Sequence, residues 1–201
     1  MTDKKHYDGH AFRRPVPTPT MTDDLAWERL DSTVAYTCPG FDVVHEDVRL
    51  PDGTETDFDY VSEGDSVVVL PLTPDEEVVT IAEWRQSVGR VNHGLPAGGV
   101  EADDPDLAAA ARRELAEETG YEADSVERMT SAEPANGFSD AVFHYFLARG
   151  CTPTAERDLD FNESIRVRTT TLADLTARVR EDDCGDGRTA LAVLYYRAFL
   201  A

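Results

Sequence analysis

Arg113-Glu114-Leu115-Ala116-Glu117-Glu118 is the segment of this chain whose residue types and spacing could do chemistry. On a helix Glu114, Glu117 and Glu118 stand at i, i+3 and i+4 and share one face. Three carboxylates within one turn repel each other, and a hard divalent cation relieves that repulsion. Oxygen-only clusters suit Mg²⁺ or Mn²⁺, and Mg²⁺ keeps coordination positions open for phosphate oxygens. The residues therefore point to a metal-assisted phosphate site. The bland alternative is a solvated helix carrying ion pairs such as Arg113 with Glu117.

The elements that would position these groups can be read outward from them. Residues 105–119 are rich in Ala, Leu, Arg and Glu, which favour helix. Asp104 is the expected N-cap, Pro105 the first helical residue and Gly120 the terminator. Ala108, Ala111 and Leu115 form an apolar stripe to anchor the helix on a sheet. Gly94–Gly99 is expected to be a loop. Upstream, Phe41–Leu50 and Glu55–Val61 flank the turn Pro51-Asp52-Gly53, and Ser66–Leu72 and Val78–Trp84 are β-branched runs. Downstream, Val142–Ala148 and Ser164–Thr170 read as strands, and Leu172–Glu181 and Arg188–Leu200 as closing helices. This order predicts a mixed sheet covered by helices.

The flanks of the acidic helix carry a resemblance. Leu95-Pro96-Ala97-Gly98-Gly99, Arg113–Glu118 and Thr119-Gly120-Tyr121 resemble the signature of the Nudix hydrolases, G-x5-E-x7-R-E-U-x-E-E-x-G-U, with U bulky and apolar. The interval from Gly98 to Arg113 is one residue longer than the pattern. The loop glutamate falls on Asp104 counted forward from Gly98, or on Pro105 counted back from Arg113. The resemblance runs over roughly residues 28–200. Glu83-Trp84-Arg85 resembles the Q-aromatic-R of the ADP-ribose pyrophosphatase branch, and Gly94-Leu95-Pro96-Ala97-Gly98 its E-L-P-A-G. Pro134–Asp140 resembles its S-P-G-F-S-D, and Asp186-Gly187-Arg188-Thr189 the start of its last helix.

The resemblance implies an α/β/α sandwich around a mixed sheet, with an N-terminal antiparallel β region that commonly builds a homodimer. Residues 1–22 would be an extended or disordered arm, 23–62 that β region and 63–201 the hydrolase domain. The implied activity is metal-dependent hydrolysis of a nucleoside diphosphate linked to another moiety, with ADP-ribose first, giving AMP and ribose 5-phosphate. Another nucleotide sugar, a dinucleotide coenzyme or a non-catalytic nucleotide-sensing module are the alternatives. Carried over by motif, Glu114, Glu117, Glu118 and the Ala97 carbonyl would hold Mg²⁺ or Mn²⁺, with Glu117 and Glu118 catalytic. Arg113, Gly98 and Gly120 would be structural, and Arg85, Ser139 and Asp140 would contact substrate. Glu156, Asp158, Asp160 and Glu163 are candidates for the base, and Glu163 is favoured because it just precedes a strand.

Composition bounds the rest. Forty acids against nineteen bases give a formal net charge of −21, spread as 19 acids in residues 1–100 and 21 in 101–201. That excludes a basic nucleic-acid surface and docking on anionic lipid. Such self-repulsion favours a salt-rich, halophilic setting. The first residues hold no apolar signal core, and no apolar run reaches membrane length, so a cytoplasmic protein is expected. Cys38, Cys151 and Cys184, and the histidines His6, His10, His45, His93 and His144, show no metal spacing. Trp27 and Trp84 are expected in the core or at a dimer contact.

Overall fold

The computed structural model describes residues 23–160, 163–181 and 183–201. The expected arm, 1–22, lies outside them. In chain order the elements are β1 (Glu28–Thr37), β2 (Asp42–Arg49), β3 (Glu55–Ser62), β4 (Ser66–Leu72), β5 (Glu77–Arg85), β6 (Arg90–Gly94), β7 (Ala97–Gly99), α1 (Leu107–Thr119), β8 (Ser125–Ala132), β9 (Phe143–Arg149), β10 (Ile165–Thr171), α2 (Leu172–Arg180) and α3 (Gly187–Phe199). They fall into two compact units. One holds Ser66–Ala132 and Phe143–Ala201. Of the described residues, the other holds 23–65 together with Glu133–Val142.

The larger unit is built on a mixed sheet ordered β10-β5-β4-β9-β8, with β6 paired to β5 and β7 to β4. Strands β4 and β9 run parallel, from Ser66 beside Phe143 to Leu72 beside Arg149, and the other neighbours are antiparallel. Strand β4 (SVVVLPL) is apolar at consecutive positions because helices cover both of its faces. Val67 and Val69 pack with Ala110, Ala111 and Leu115 of α1. Val68, Leu70 and Leu72 pack with Leu175 of α2 and Ala192, Val193 and Tyr196 of α3. Period-two alternation thus splits one strand between two cores and yields an α/β/α sandwich.

Helix α1 begins two residues later than the sequence suggests. Asp106, not Asp104, is the N-cap: its carboxylate accepts from Ala109 N at 2.8 Å. Asp104 is drawn off to other partners described below. At the far end Gly120 takes φ +77°, and its N–H donates to Ala116 O at 2.8 Å. A Cβ there would stand 3.0 Å from the Ala155 carbonyl.

In the smaller unit β1, β2 and β3 form an antiparallel sheet, with His45 between Thr33 and Asp59. The expected turn closes the β2–β3 hairpin. Gly53 takes φ +88° and donates to Leu50 O, and Thr54 N donates to the Asp52 carboxylate. All ten residues of β1 are exposed, as are Trp27 and Phe58, whose rings meet edge-on at 5.8 Å. Trp27 is therefore not core. Nor is Trp84, which is 49% exposed and donates from Nε1 to Gln86 Oε1 at 2.8 Å.

Four strands escape the sequence reading. Strand β1 buries neither face, so it lacks the alternation that marks a strand. Strand β8 buries only Met129. Strand β6 ends on the first residue of what reads as a glycine loop and β7 takes its last three, and their glycines are set by neighbours. A Cβ on Gly94 would lie 2.5 Å from Asp186 Oδ2, and one on Gly98 2.3 Å from the Glu114 carboxyl carbon.

Gly120→Ala is expected to destabilise the fold by about 1–2 kcal/mol, since alanine must adopt a left-handed conformation against a carbonyl. Urea unfolding of the variant measures it. No loss of stability would remove Gly120 as the terminator of α1.

Candidate active site

Arg113 organises the acidic face of α1. Its NH1 donates to Glu114 Oε1 at 2.8 Å and to Glu117 Oε2 at 2.9 Å. Its NH2 donates to Gly99 O at 2.8 Å and to Asp104 Oδ2 at 2.9 Å, and its Nε to Asp104 Oδ1 at 3.1 Å. Asp104 thus grips the guanidinium with both oxygens, a bidentate pair of high directional specificity. It also accepts from Glu101 N, which closes the loop ahead of the helix. Of the two positions that could stand for the missing loop glutamate, Asp104 is the one that supports Arg113.

The carboxylates differ sharply in setting. Glu114 is 8% exposed and Glu118 2%. Glu118 Oε2 accepts from Ala97 N at 3.0 Å, which ties β7 to α1. Burial raises the Glu114 carboxyl to about 7, against the pull of Arg113. Burial, with the charges of Glu114 and Glu163, pushes Glu118 well up. Glu163 is also raised, mainly by burial. Burial would weaken the charge on Arg113, but Asp104 and Glu114 hold it firmly protonated.

The charge of Glu163 acts on both Glu114 and Glu118, so the structure brings the favoured base candidate to the helix glutamates. Asp160 N donates to Glu163 Oε2, and Arg157 clamps the segment by donating to Glu118 O and Ile165 O. Arg157 and Glu83 are site-forming residues that sequence reasoning missed. The first does its work through backbone carbonyls, which no motif records. The second lies inside the Glu83-Trp84-Arg85 segment, where only Arg85 was singled out. Glu83 is 8% exposed, its charge reaches Glu118 and Glu163, and it pairs with Arg85 at 2.8 Å.

The segment at Asp186 explains Gly94. Asp186 caps α3 and accepts from Thr189 Oγ1, and Thr189 Oγ1 accepts from Leu95 N at 2.9 Å. A glutamate at 94 would collide with this cap. Ser139 and Asp140 belong to the smaller unit. There Asp140 accepts from Ser62 Oγ and Glu63 N, while Ser139 donates to Glu63 Oε1 and accepts from Ala141 N. These four hydrogen bonds are local to that unit.

The donor set suits a hard cation: buried carboxylates short of compensating charge, lying where glycine 98 leaves room for them. The arrangement is not closed around a point. Among the described residues, the group of three whose ligand atoms all lie within 4.8 Å is His45, Asp57 and Asp59. Those residues come together only through the β2–β3 register, so spacing along the chain could not reveal them. They are largely exposed, as in an ordinary acidic surface.

A sheet between helices, with R-E-x-x-E-E on the covering helix and a glycine strand beneath it, defines a class, and comparison with known proteins agrees. Residues 63–188 match the model of the NUDIX domain. The chain belongs to the Nudix family. It is 33% identical over 156 residues to an ADP-ribose pyrophosphatase of Bacillus subtilis (strain 168), covering 77% of this chain and 83% of that one. It is 30% identical over 152 residues to a methanol dehydrogenase activator of Bacillus methanolicus, covering 75% and 81%. In fold it is similar to a crystal structure of an ADP compounds hydrolase, with TM-score 0.76, 19% identity and 87% and 94% coverage. Among the described residues no helix is long and apolar enough to cross a membrane.

A carboxyl raised by folding binds its proton more tightly in the folded than in the unfolded chain. Its stabilising contribution is therefore whole below the unfolded value near 4.5 and is lost as pH rises through the folded value of about 7. Metal-free protein should lose on the order of 3 kcal/mol from Glu114 between these limits. Urea unfolding in chelator at pH 5.5 and pH 8 reads the larger part of that loss, about 2 kcal/mol, and Glu114→Gln should make it smaller. An equal loss in the variant would mean that Glu114 is not the group responsible.

Proposed function

We propose that this protein is a metal-dependent pyrophosphatase that hydrolyses the diphosphate bond of a nucleoside diphosphate sugar, with ADP-ribose as first substrate. The products would be AMP and ribose 5-phosphate. The observation that carries this reading is the pair of deeply buried carboxylates, Glu114 and Glu118, set between Arg113 and the β7 glycine strand. The 33% identity to an ADP-ribose pyrophosphatase supports the substrate.

Glu114, Glu117, Glu118 and the Ala97 carbonyl would hold Mg²⁺ or Mn²⁺. Bound there, the metal supplies neutralisation of diphosphate charge and acidification of water. Arg113 holds Glu114 and Glu117 in place, and Glu118 is aimed by Ala97 N–H. Glu163, a half-buried carboxyl raised above its usual range, would take the proton from water as its oxygen bonds to phosphorus and the anhydride P–O bond breaks. Arg85, next to this cluster, would bind the diphosphate. Ser139 and Asp140 are proposed to contact the rest of the substrate.

Two further properties belong to the reading. The smaller unit would pair two copies, because its three-stranded sheet exposes Leu30, Val34, Tyr36 and Phe58, with exposed Trp27 just ahead of β1. The charge of −21 would suit a salt-rich cytoplasm in which counter-ions screen the approach of an anionic substrate.

A panel of nucleoside diphosphate sugars, dinucleotides and nucleoside triphosphates, with Mg²⁺ or Mn²⁺ in molar KCl, tests the function by coupled phosphate release. ADP-ribose should be turned over fastest. A preference for another nucleotide sugar would move the substrate, and no turnover of any diphosphate would favour a sensing module. Glu117→Gln and Glu118→Gln should each lower kcat by about a hundredfold or more with the fold retained by circular dichroism. A near-normal rate in either would remove that residue from the metal site.

A further inference from the structure

Glu83 takes no part in the proposed hydrolysis, yet its placement is tightly determined. Its backbone in β5 pairs with Ile165 of β10 on one side and Asn92 of β6 on the other. Residues two apart on a strand face the same way, so Glu83 and Arg85 share a face and Trp84 faces away. Arg85 NH2 lies 2.8 Å from Glu83 Oε2, with the Glu83 side chain 10% and the Arg85 side chain 33% exposed. The backbone of Arg85 is fixed as well, since its carbonyl accepts from Val88 N and Gly89 N in the β5–β6 turn.

The pair borders the carboxylate cluster. Glu83 acts electrostatically on Glu118 and Glu163, and Arg85 on Glu163. A guanidinium on a long, flexible stem beside several carboxylates has more than one possible partner. Its pairing with Glu83, anchored on a strand bonded on both edges, selects one orientation.

We infer that Glu83 is a positioning residue: it holds the Arg85 guanidinium at the rim of the glutamate cluster, turned to receive a substrate phosphate and kept off Glu163. The inference rests on the proposed role of Arg85 at the diphosphate. The motif that this segment resembles carries glutamine at position 83. An amide oxygen can accept from a guanidinium as a carboxylate oxygen does, so what the position needs is an acceptor, not a charge.

Steady-state kinetics of the full chain with ADP-ribose and Mg²⁺ test this in Glu83→Ala, Glu83→Gln, Arg85→Ala and the Glu83→Ala/Arg85→Ala double variant. Arg85→Ala should raise KM by tenfold or more. Glu83→Ala should raise it by about tenfold, the loss of one charge-assisted hydrogen bond. Glu83→Gln should stay within about threefold of the parent. In the Arg85→Ala background Glu83→Ala should add nothing, because the group it positions is gone.

If Arg85→Ala raises KM and Glu83→Ala does not, the positioning role is wrong and the reading of Arg85 stands. If Arg85→Ala leaves KM unchanged, the reading of Arg85 fails and the inference with it. Additive effects in the double variant would also overturn it, since Glu83 would then act by another route. Should Glu83→Ala not fold, Glu83→Asp withdraws the carboxylate by one methylene and must raise KM in its place.

Discussion

The Arg113 guanidinium is the contact on which the site depends. A single planar cation touches the loop before α1 through Asp104 and Gly99, and the helix itself through Glu114 and Glu117. It lets carboxylates crowd one helical turn that would otherwise repel each other apart. It also fixes the distance between α1 and the glycine strand β7, since Gly99 is the residue it holds there. Without that cation the buried Glu114 would face its neighbours with no compensating charge, a costly arrangement in an interior.

Close approach is the second constraint, and it works through glycine and small residues. Gly98 lets the Glu114 carboxyl lie against the strand, and Ala97 N–H takes Glu118. Gly94 lets the Asp186–Thr189 cap of α3 reach the start of the same segment. The six residues from Gly94 to Gly99 are thus gripped from both faces of the sheet, by α1 on one and α3 on the other. Stiff support of this kind is what a site needs if charge is to be held in place before substrate arrives. The acids of this chain accordingly divide into two kinds. Among the described residues most are at least partly solvated, while Glu114 and Glu118, on the face of α1 turned to the sheet, are buried and pushed toward protonation.

The legibility of the fold followed burial. Strand β4 and helices α1 and α3 could be read because apolar runs and helix-forming composition persist where packing is dense. Strand β1, with every residue exposed, carries no such trace. The glycine segment read as a loop because glycine is poor in strands. It is paired with β4 and β5 nonetheless, because neighbouring side chains exclude a Cβ. The N-cap moved from Asp104 to Asp106 for a related reason. Both residues can cap, and only the position of Arg113 in space decides which one is free to do so.

The sequence by itself determined the acidic helix, its flanking glycine segment and the family they mark, because these depend on residue types at fixed short spacings. Tertiary structure decided which groups join that helix. Asp104 and Arg157 bond to the helix, and Glu83 and Glu163 act on it by their charge, across turns and strand pairings that depend on register and loop length. Burial was decided there too. Glu114 and Glu118 are chemically the same as the many glutamates on the surface, and only the sheet packed against them sets their protons apart.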